Sequence, residues 1–257
     1  LLDRGIRLVD ISADYRIRDR AVYEEFYGHH PASELLAEAV YGLPEVYRDR
    51  LRGARLVANP GCYPTASILA LLPALREGII DGSVIVDAKS GVSGAGRTLA
   101  LSSHFSEMDE SVCAYGLDGH RHWPEMLQEM QAAAGENRRV RLTFTPHLIP
   151  MTRGILATAY GELAADWPVE RVRALYRDFY AGEPFVRVVS EPPQSKQVWG
   201  SNFCHIYPTV DRRSGRLVVV SVIDNLVKGA AGQAVQNMNL MLGLPETMGL
   251  EGLPVYP

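Results

Sequence analysis

Cys62 has the clearest local reason to be reactive of any residue in this sequence. It lies in Asn59-Pro60-Gly61-Cys62-Tyr63-Pro64-Thr65. Before it, Arg55-Leu56-Val57-Ala58 reads as a short buried strand, and after it Ala66-Ser67-Ile68-Leu69-Ala70-Leu71-Leu72 reads as a helix. Pro64 suits the first helical position, where its missing N–H is not needed. Cys62 is therefore expected at a strand-to-helix turn, where free N–H groups and the helix dipole favour a thiolate. Many cysteines are only small apolar fillers. The Pro-Gly before this one and the Pro after it make the turn too specialised for that role. The chemistry expected is nucleophilic catalysis through sulfur.

Other polar clusters could serve such a nucleophile. Gly119-His120-Arg121-His122-Trp123-Pro124-Glu125 places two histidines at a predicted helix start. Neighbours at i, i+2 do not share a helix face, so at most one is expected to be catalytic. Metal ligation by the pair lacks carboxylate or cysteine partners at fitting spacing, and no metal is expected. Asp10-Ile11-Ser12-Ala13-Asp14-Tyr15-Arg16 follows a predicted strand, the position where α/β sheets bind ligands. Arg16 suits a phosphate or carboxylate, whereas Ser12 and Asp14 could equally cap and turn the chain. Lys89-Ser90-Gly91-Val92-Ser93-Gly94-Ala95-Gly96-Arg97 reads as a potential anion cradle, although it matches neither the P-loop nor G-x-G-x-x-G. Gly229 and Gly232, in Lys228-Gly229-Ala230-Ala231-Gly232-Gln233-Ala234, let a cofactor or a second backbone approach closely; simple helix packing is the alternative. His29 and His30 read as surface residues for want of a third ligand.

The elements that must position these groups follow from periodicity. Strands are expected at 7–12, 55–58, 83–88, 140–145, through Ala159, and near 185–190, 203–210 and 216–224. The last two are joined by the hairpin-type Asp211-Arg212-Arg213-Ser214-Gly215. Helices are expected from Cys62 to about Arg76, with Pro73 kinking it late, after Trp123, and from Val169 to Tyr180. Residues 99–118 read as a mobile loop, and 19–52 as short polar helices and turns. An α/β pattern before the cysteine and hairpin-joined strands after it suggest that a second domain begins at or just after Cys62.

Composition fits a soluble globular protein: 257 residues, 47% hydrophobic, 22% charged, net charge −4. Nothing suggests a nucleic-acid partner or a membrane span. An odd count of three cysteines, without CxxC spacing, points to a reducing cytoplasm. The first strand lacks a preceding partner and the chain opens at Leu1, so the N-terminal part of a longer protein is expected to be missing.

Taken in order, the segments at 10–16, 59–65, 89–97, 119–122, 146–151 (Pro146-His147-Leu148-Ile149-Pro150-Met151) and 228–234 resemble the N-acetyl-gamma-glutamyl-phosphate reductases, over almost the whole chain. The resemblance implies a Rossmann-type NADP domain and an α+β semialdehyde-dehydrogenase-like catalytic domain with a mixed, largely antiparallel sheet. On that basis 1–62 and 227–257 form an incomplete cofactor domain, and 63–226 the catalytic and oligomerisation domain. The implied reaction is NADPH-dependent reductive dephosphorylation through a Cys62 thioester, with His122 as acid/base and His120 in reserve. Implied cofactor contacts are Ser12, Ser93, Gly94, Asn225, Lys228, Gly229 and Gly232. Implied substrate contacts are Arg16, Asn59, Arg97 and Arg153, and a homo-oligomer is the implied assembly. The family's glycine-rich fingerprint, part of a βαβ unit of about thirty residues, is absent here. Three alternatives stay open: a carrier-linked aminoadipyl or glutamyl phosphate as substrate, a cofactor-free Cys-His acyl-transfer enzyme, and a truncated non-catalytic remnant.

Overall fold

A computed structural model describes residues 1–256. In chain order the elements are β1 (Leu8–Asp10), α1 (Arg20–Tyr27), β2 (Val40–Tyr41), α2 (Pro44–Leu51), β3 (Leu56–Ala58) and α3 (Cys62–Arg76). There follow β4 (Ile80–Ser90), α4 (Phe105–Met108), β5 (Cys113–Ala114), α5 (Trp123–Ala134), β6 (Arg141–Leu148) and β7 (Ile155–Leu163). The chain closes with α6 (Val169–Phe179), β8 (Val186–Val188), β9 (Cys204–Asp211), β10 (Arg216–Ile223) and α7 (Gly232–Met241).

Two sheets result. A small parallel one has the order β1-β3-β2, and a seven-stranded mixed one has the order β5-β6-β4-β7-β10-β9-β8. In the large sheet β4 runs parallel to β6, and β8 to β9; the remaining pairings are antiparallel. Alternating burial along β4, β6 and β7 turns one face towards the helices, as their apolar/polar alternation dictates. The hairpin between β9 and β10 closes on Asp211, whose carboxylate accepts from the Arg213 N–H at 3.0 Å and the Ser214 hydroxyl at 2.7 Å.

Helix α3 is the pivot. Every residue from Tyr63 to Leu75 is buried, against β7, β10, β4 and α5. It begins at Cys62, so Pro64 is its third residue and not its first. Pro73 lies inside the helix and cannot donate to the Leu69 carbonyl four residues back. The Tyr180 hydroxyl donates to that carbonyl instead, at 2.6 Å, and Tyr176 serves the next one, Ala70, at 2.8 Å. A defect in one helix is thus satisfied by the C-terminal turns of another.

Two further expectations need correction. His30 is 2% exposed: its Nε2 meets the Asp14 carbonyl at 2.6 Å and its Nδ1 accepts from the Ala32 N–H at 3.1 Å. It is a satisfied interior histidine, whereas His29 is on the surface as expected. Residues 99–118 are not a bare loop, since they include a short turn at Leu101–Ser103, α4 and β5. Position 257, the last of the expected cofactor-domain range, lies outside the described residues.

Candidate active site

The turn that carries Cys62 is built where two chain ends of the small sheet meet. The Asn59 N–H donates to the Asp10 carbonyl at 2.8 Å, tying the exit of β3 to that of β1. Pro60 and Gly61 then turn the chain into α3, with Gly61 as N-cap at φ −68°. Gly61 is needed here for space. A methyl group on it would lie 2.7 Å from His122 Nε2, 3.0 Å from His122 Cε1 and 3.1 Å from an Arg16 guanidinium nitrogen. An imidazole and a cation therefore close on the residue immediately before Cys62.

Arg16 is held from within. Its Nε donates to the Asn59 carbonyl at 2.7 Å and one terminal nitrogen donates to the Ile11 carbonyl at 2.7 Å. Its other terminal nitrogen lies 3.6 Å from Glu125 Oε2. Glu125, in the first turn of α5, accepts through Oε1 from the Gly61 N–H at 2.8 Å and from the Tyr41 hydroxyl at 2.8 Å. Burial pushes its carboxyl upward, opposed by Arg16 and by those two donors. Nothing in the sequence pointed to Glu125 as part of the site; an acidic residue in a helix's first turn is usual, and its reach back to Gly61 is a tertiary contact.

The two histidines are brought together, contrary to the helix-face argument. Helix α5 begins only at Trp123, so His120 and His122 sit in the turn before it, with ring centroids 5.0 Å apart. The His122 N–H donates to His120 Nδ1 at 3.0 Å, which leaves the neutral His120 proton on Nε2. Tyr63, Tyr115 and Phe144 pack edge-on around His120. Burial, helped by Arg121, lowers the His120 pKa to about 4. Burial, then His120 and Arg16, holds His122 well below the usual histidine range, and His122 Nδ1 is buried without a partner. Both rings are neutral at pH 7.

The cysteine departs from expectation in its charge. Cys62 keeps a partly exposed edge, but its sulfur is surrounded as an interior atom is. Burial pushes the thiol up to about 11, outweighing the downward pull of the Tyr63 and Cys62 N–H groups and of Arg16. The resting state is a thiol, one residue along from Gly61, on which the neutral His122 imidazole closes. A proton acceptor is therefore required before sulfur can attack, and the dipole of α3 alone does not supply a thiolate.

The remaining expected residues divide. Asn225 and Ser93 come together, the Asn225 amide donating to the Ser93 hydroxyl at 3.0 Å and accepting from the Gly154 N–H at 2.7 Å. Gly94 lies beside them, 3.7 Å from the Asn225 amide nitrogen if it bore a methyl group. Arg97 is exposed and, with Ser93, Thr98, Phe105 and Met151, lines a cavity of about 610 Å³. Arg153 pairs with the buried Asp224 at 3.2 Å. Ser12 is exposed, donating to Asp10 at 2.7 Å. Asn59 is wholly buried, donating to the Ala230 carbonyl at 3.0 Å, so its side chain braces the turn and does not face a substrate. Lys228 is likewise fully buried and pairs with Glu45 at 2.7 Å, so its ammonium does not face a cofactor either. Gly229 packs on Cys62, and Gly232 on Asn202 and Val227. Among the described residues no group of three or more His, Cys, Asp or Glu side chains is placed to hold a metal ion, and no helix is long and apolar enough to cross a membrane.

Fold and site together define a class. Residues 62–225 match the family model described as semialdehyde dehydrogenase, dimerisation domain. The crystal structure of aspartate semialdehyde dehydrogenase II from Vibrio cholerae superposes with a TM-score of 0.69 at 18% identity, covering 94% of this chain and 74% of that one. At that identity the likeness establishes the fold. Within the class, the chain belongs to the N-acetyl-gamma-glutamyl-phosphate reductase family. It is 56% identical over 258 residues to the reductase of that name from Dehalococcoides mccartyi, spanning 100% of this chain and 75% of the relative. The corresponding proteins of Symbiobacterium thermophilum and Pelotomaculum thermopropionicum are 58% and 59% identical, over 75% and 74% of their lengths.

Proposed function

We propose that this chain reduces N-acetyl-gamma-glutamyl phosphate to N-acetylglutamate semialdehyde, releasing phosphate, through a thioester on Cys62. The observation that carries the mechanism is the neutral His122 imidazole set against Gly61, beside a protonated cysteine. His122 accepts the thiol proton as sulfur attacks the acyl carbon, and the carbon–oxygen bond to phosphate breaks. One displacement is thereby divided into two easier steps. Arg16, fixed by two carbonyls, places a positive charge beside the forming thiolate and the incoming anion. Arg97 and Arg153 are the further cations proposed for the substrate's phosphate and carboxylate.

NADPH, when bound, supplies the hydride that reduces the thioester carbon. Of the residues assigned to its nicotinamide end, Ser93 offers a hydroxyl beside the exposed backbone of Gly94, with Ser12 at the exit of β1. Asn225, 2% exposed with both ends of its amide engaged, positions Ser93 instead of facing the cofactor. Imidazolium His122 holds a proton for the oxygen of the resulting thiohemiacetal. As the C–S bond breaks, that oxygen returns its proton to His122 and the aldehyde leaves. His120, neutral and locked by the His122 backbone N–H, packs edge-on against the His122 ring and so orients it. We assign 1–62 and 227–256 to the cofactor-binding unit and 63–226 to the catalytic unit, in a cytoplasmic homo-oligomer. The test is NADPH oxidation with N-acetyl-gamma-glutamyl phosphate, with Cys62→Ser as control. The proposal predicts phosphate and semialdehyde in equal amounts and none from the variant; turnover by Cys62→Ser would refute it.

A further inference from the structure

The segment from Val227 to Ala231 is a π-helical turn, and it is gripped at three successive residues. Lys228 donates to Glu45 Oε1 at 2.7 Å and to Gln236 Oε1 at 2.9 Å, with its ammonium 5.7 Å from the centroid of the Phe185 ring. Gly229 presses on the nucleophile's backbone: a methyl group there would lie 2.8 Å from Cys62 Cβ and 3.3 Å from Cys62 Cα. The Ala230 carbonyl accepts from the Asn59 amide at 3.0 Å, and Asn59 itself is the residue whose carbonyl holds Arg16. π-Turns carry one residue more than an α-turn and recur at functional sites, where the extra residue re-aims the chain.

A fully buried ion pair is a poor device for stability, because desolvation offsets the attraction; its best-attested use is to fix register. This pair has that character. Both side chains are wholly inaccessible, and Glu45 Oε2 has no partner at all. Register matters here because Gly229 is flanked by Lys228 and Ala230. A slip of one residue would drive a side chain into Cys62 where only a hydrogen fits.

We propose that the Lys228–Glu45 pair is a register lock that holds Gly229 against Cys62, making Lys228, Glu45 and Gly229 positioning residues for the nucleophile. The inference rests on the reading of Cys62 as the nucleophile. The lock acts through Gly229 on the Cys62 backbone, keeping the sulfur beside the N–H groups and the Arg16 charge that stabilise its thiolate.

The test is iodoacetamide alkylation of the full chain at fixed alkaline pH, with Cys62 and exposed Cys113 quantified separately by peptide mass spectrometry. Two variants are compared with the wild type: Gly229→Ala, and the charge-neutral double variant Glu45→Gln/Lys228→Met. Expected are cooperative unfolding, Cys62 alkylation slowed about tenfold against the Cys113 internal standard, and kcat reduced with KM unchanged. Wild-type Cys62 alkylation in either folded variant would overturn the lock. So would loss of folding in both, since the role would then be structural. If Gly229→Ala alone fails to fold, the double variant decides. Slowed alkylation with unchanged kcat would instead remove Cys62 from the reaction, which refutes the mechanism and leaves the register lock standing.

Discussion

Replacing Gly61 by alanine isolates the contact on which the mechanism depends. Gly61 has φ −68°, a conformation open to alanine, so the substitution adds a methyl group without backbone strain. That methyl would lie 2.7 Å from His122 Nε2, short of ordinary contact by about 0.7 Å. The least confined group in its path is the imidazole, the end of a side chain, and it must turn away. Thermodynamically this is cheap: alanine is a poorer N-cap than glycine by at most about 1 kcal/mol. Catalytically it is not, because a misplacement of about 1 Å costs roughly a hundredfold in rate. A shift of about 0.7 Å therefore predicts a fall in kcat/KM of between about tenfold and a hundredfold, or roughly 1.4–2.7 kcal/mol of transition-state stabilisation. The assay is steady-state NADPH oxidation, paired with urea unfolding to show that the fold survives. A double-mutant cycle adds a sharper reading, since Gly61→Ala should have little further effect once His122→Asn has removed the base. Kcat/KM within twofold of wild type, or full additivity in the cycle, would refute the placement of His122 as the proton acceptor.

Two further outcomes follow from the same contacts. Glu125→Ala leaves the Gly61 N–H, the Tyr41 hydroxyl and the nearby Arg16 charge without their acceptor. It should cost about 3 kcal/mol, seen as a lower urea midpoint at unchanged slope, with Glu125→Gln milder because it keeps one acceptor oxygen. Stability should also depend on pH through His120, whose pKa lies near 4 in the fold against about 6.5 in the unfolded chain. Its contribution is fully present above pH 6.5 and is lost as pH falls through that window towards 4. Discounted for partial exposure, this is about 2 kcal/mol, and His120→Asn should flatten that part of the urea-midpoint profile.

How far the sequence reaches depends on how local the cause is. The turn at Cys62 and the hairpin at Asp211–Gly215 were legible because Pro, Gly and Asp impose their geometry on immediate neighbours. The alternating strands were legible because one face is buried and the other is not. The charge state of Cys62 was not, since the dipole argument sees the helix but not the packing that desolvates the sulfur. His120 and His122 were misjudged because the i, i+2 rule holds inside a helix and these residues precede one. Lys228 was implied as a cofactor contact by the family resemblance, and its burial was not legible because its partner, Glu45, is 183 positions away and no local pattern joins them. Partners distant in sequence also hid Asn59 and Glu125, whose side chains are held by Ala230 and Asn237 and by Gly61 and Tyr41 respectively, while His30 is held inside by the Asp14 carbonyl 16 positions before it.

The central claim, that Cys62 carries the acyl group, is tested most directly without the hydride donor. The chain is mixed with N-acetyl-gamma-glutamyl phosphate in the absence of NADPH, and intact mass and released phosphate are measured together. The account predicts one N-acetylglutamyl group per chain, mapped to Cys62, with phosphate released in equal amount and neither seen in Cys62→Ser. An enzyme that turns over with NADPH, yet releases no phosphate and gains no mass without it, would contradict the thioester.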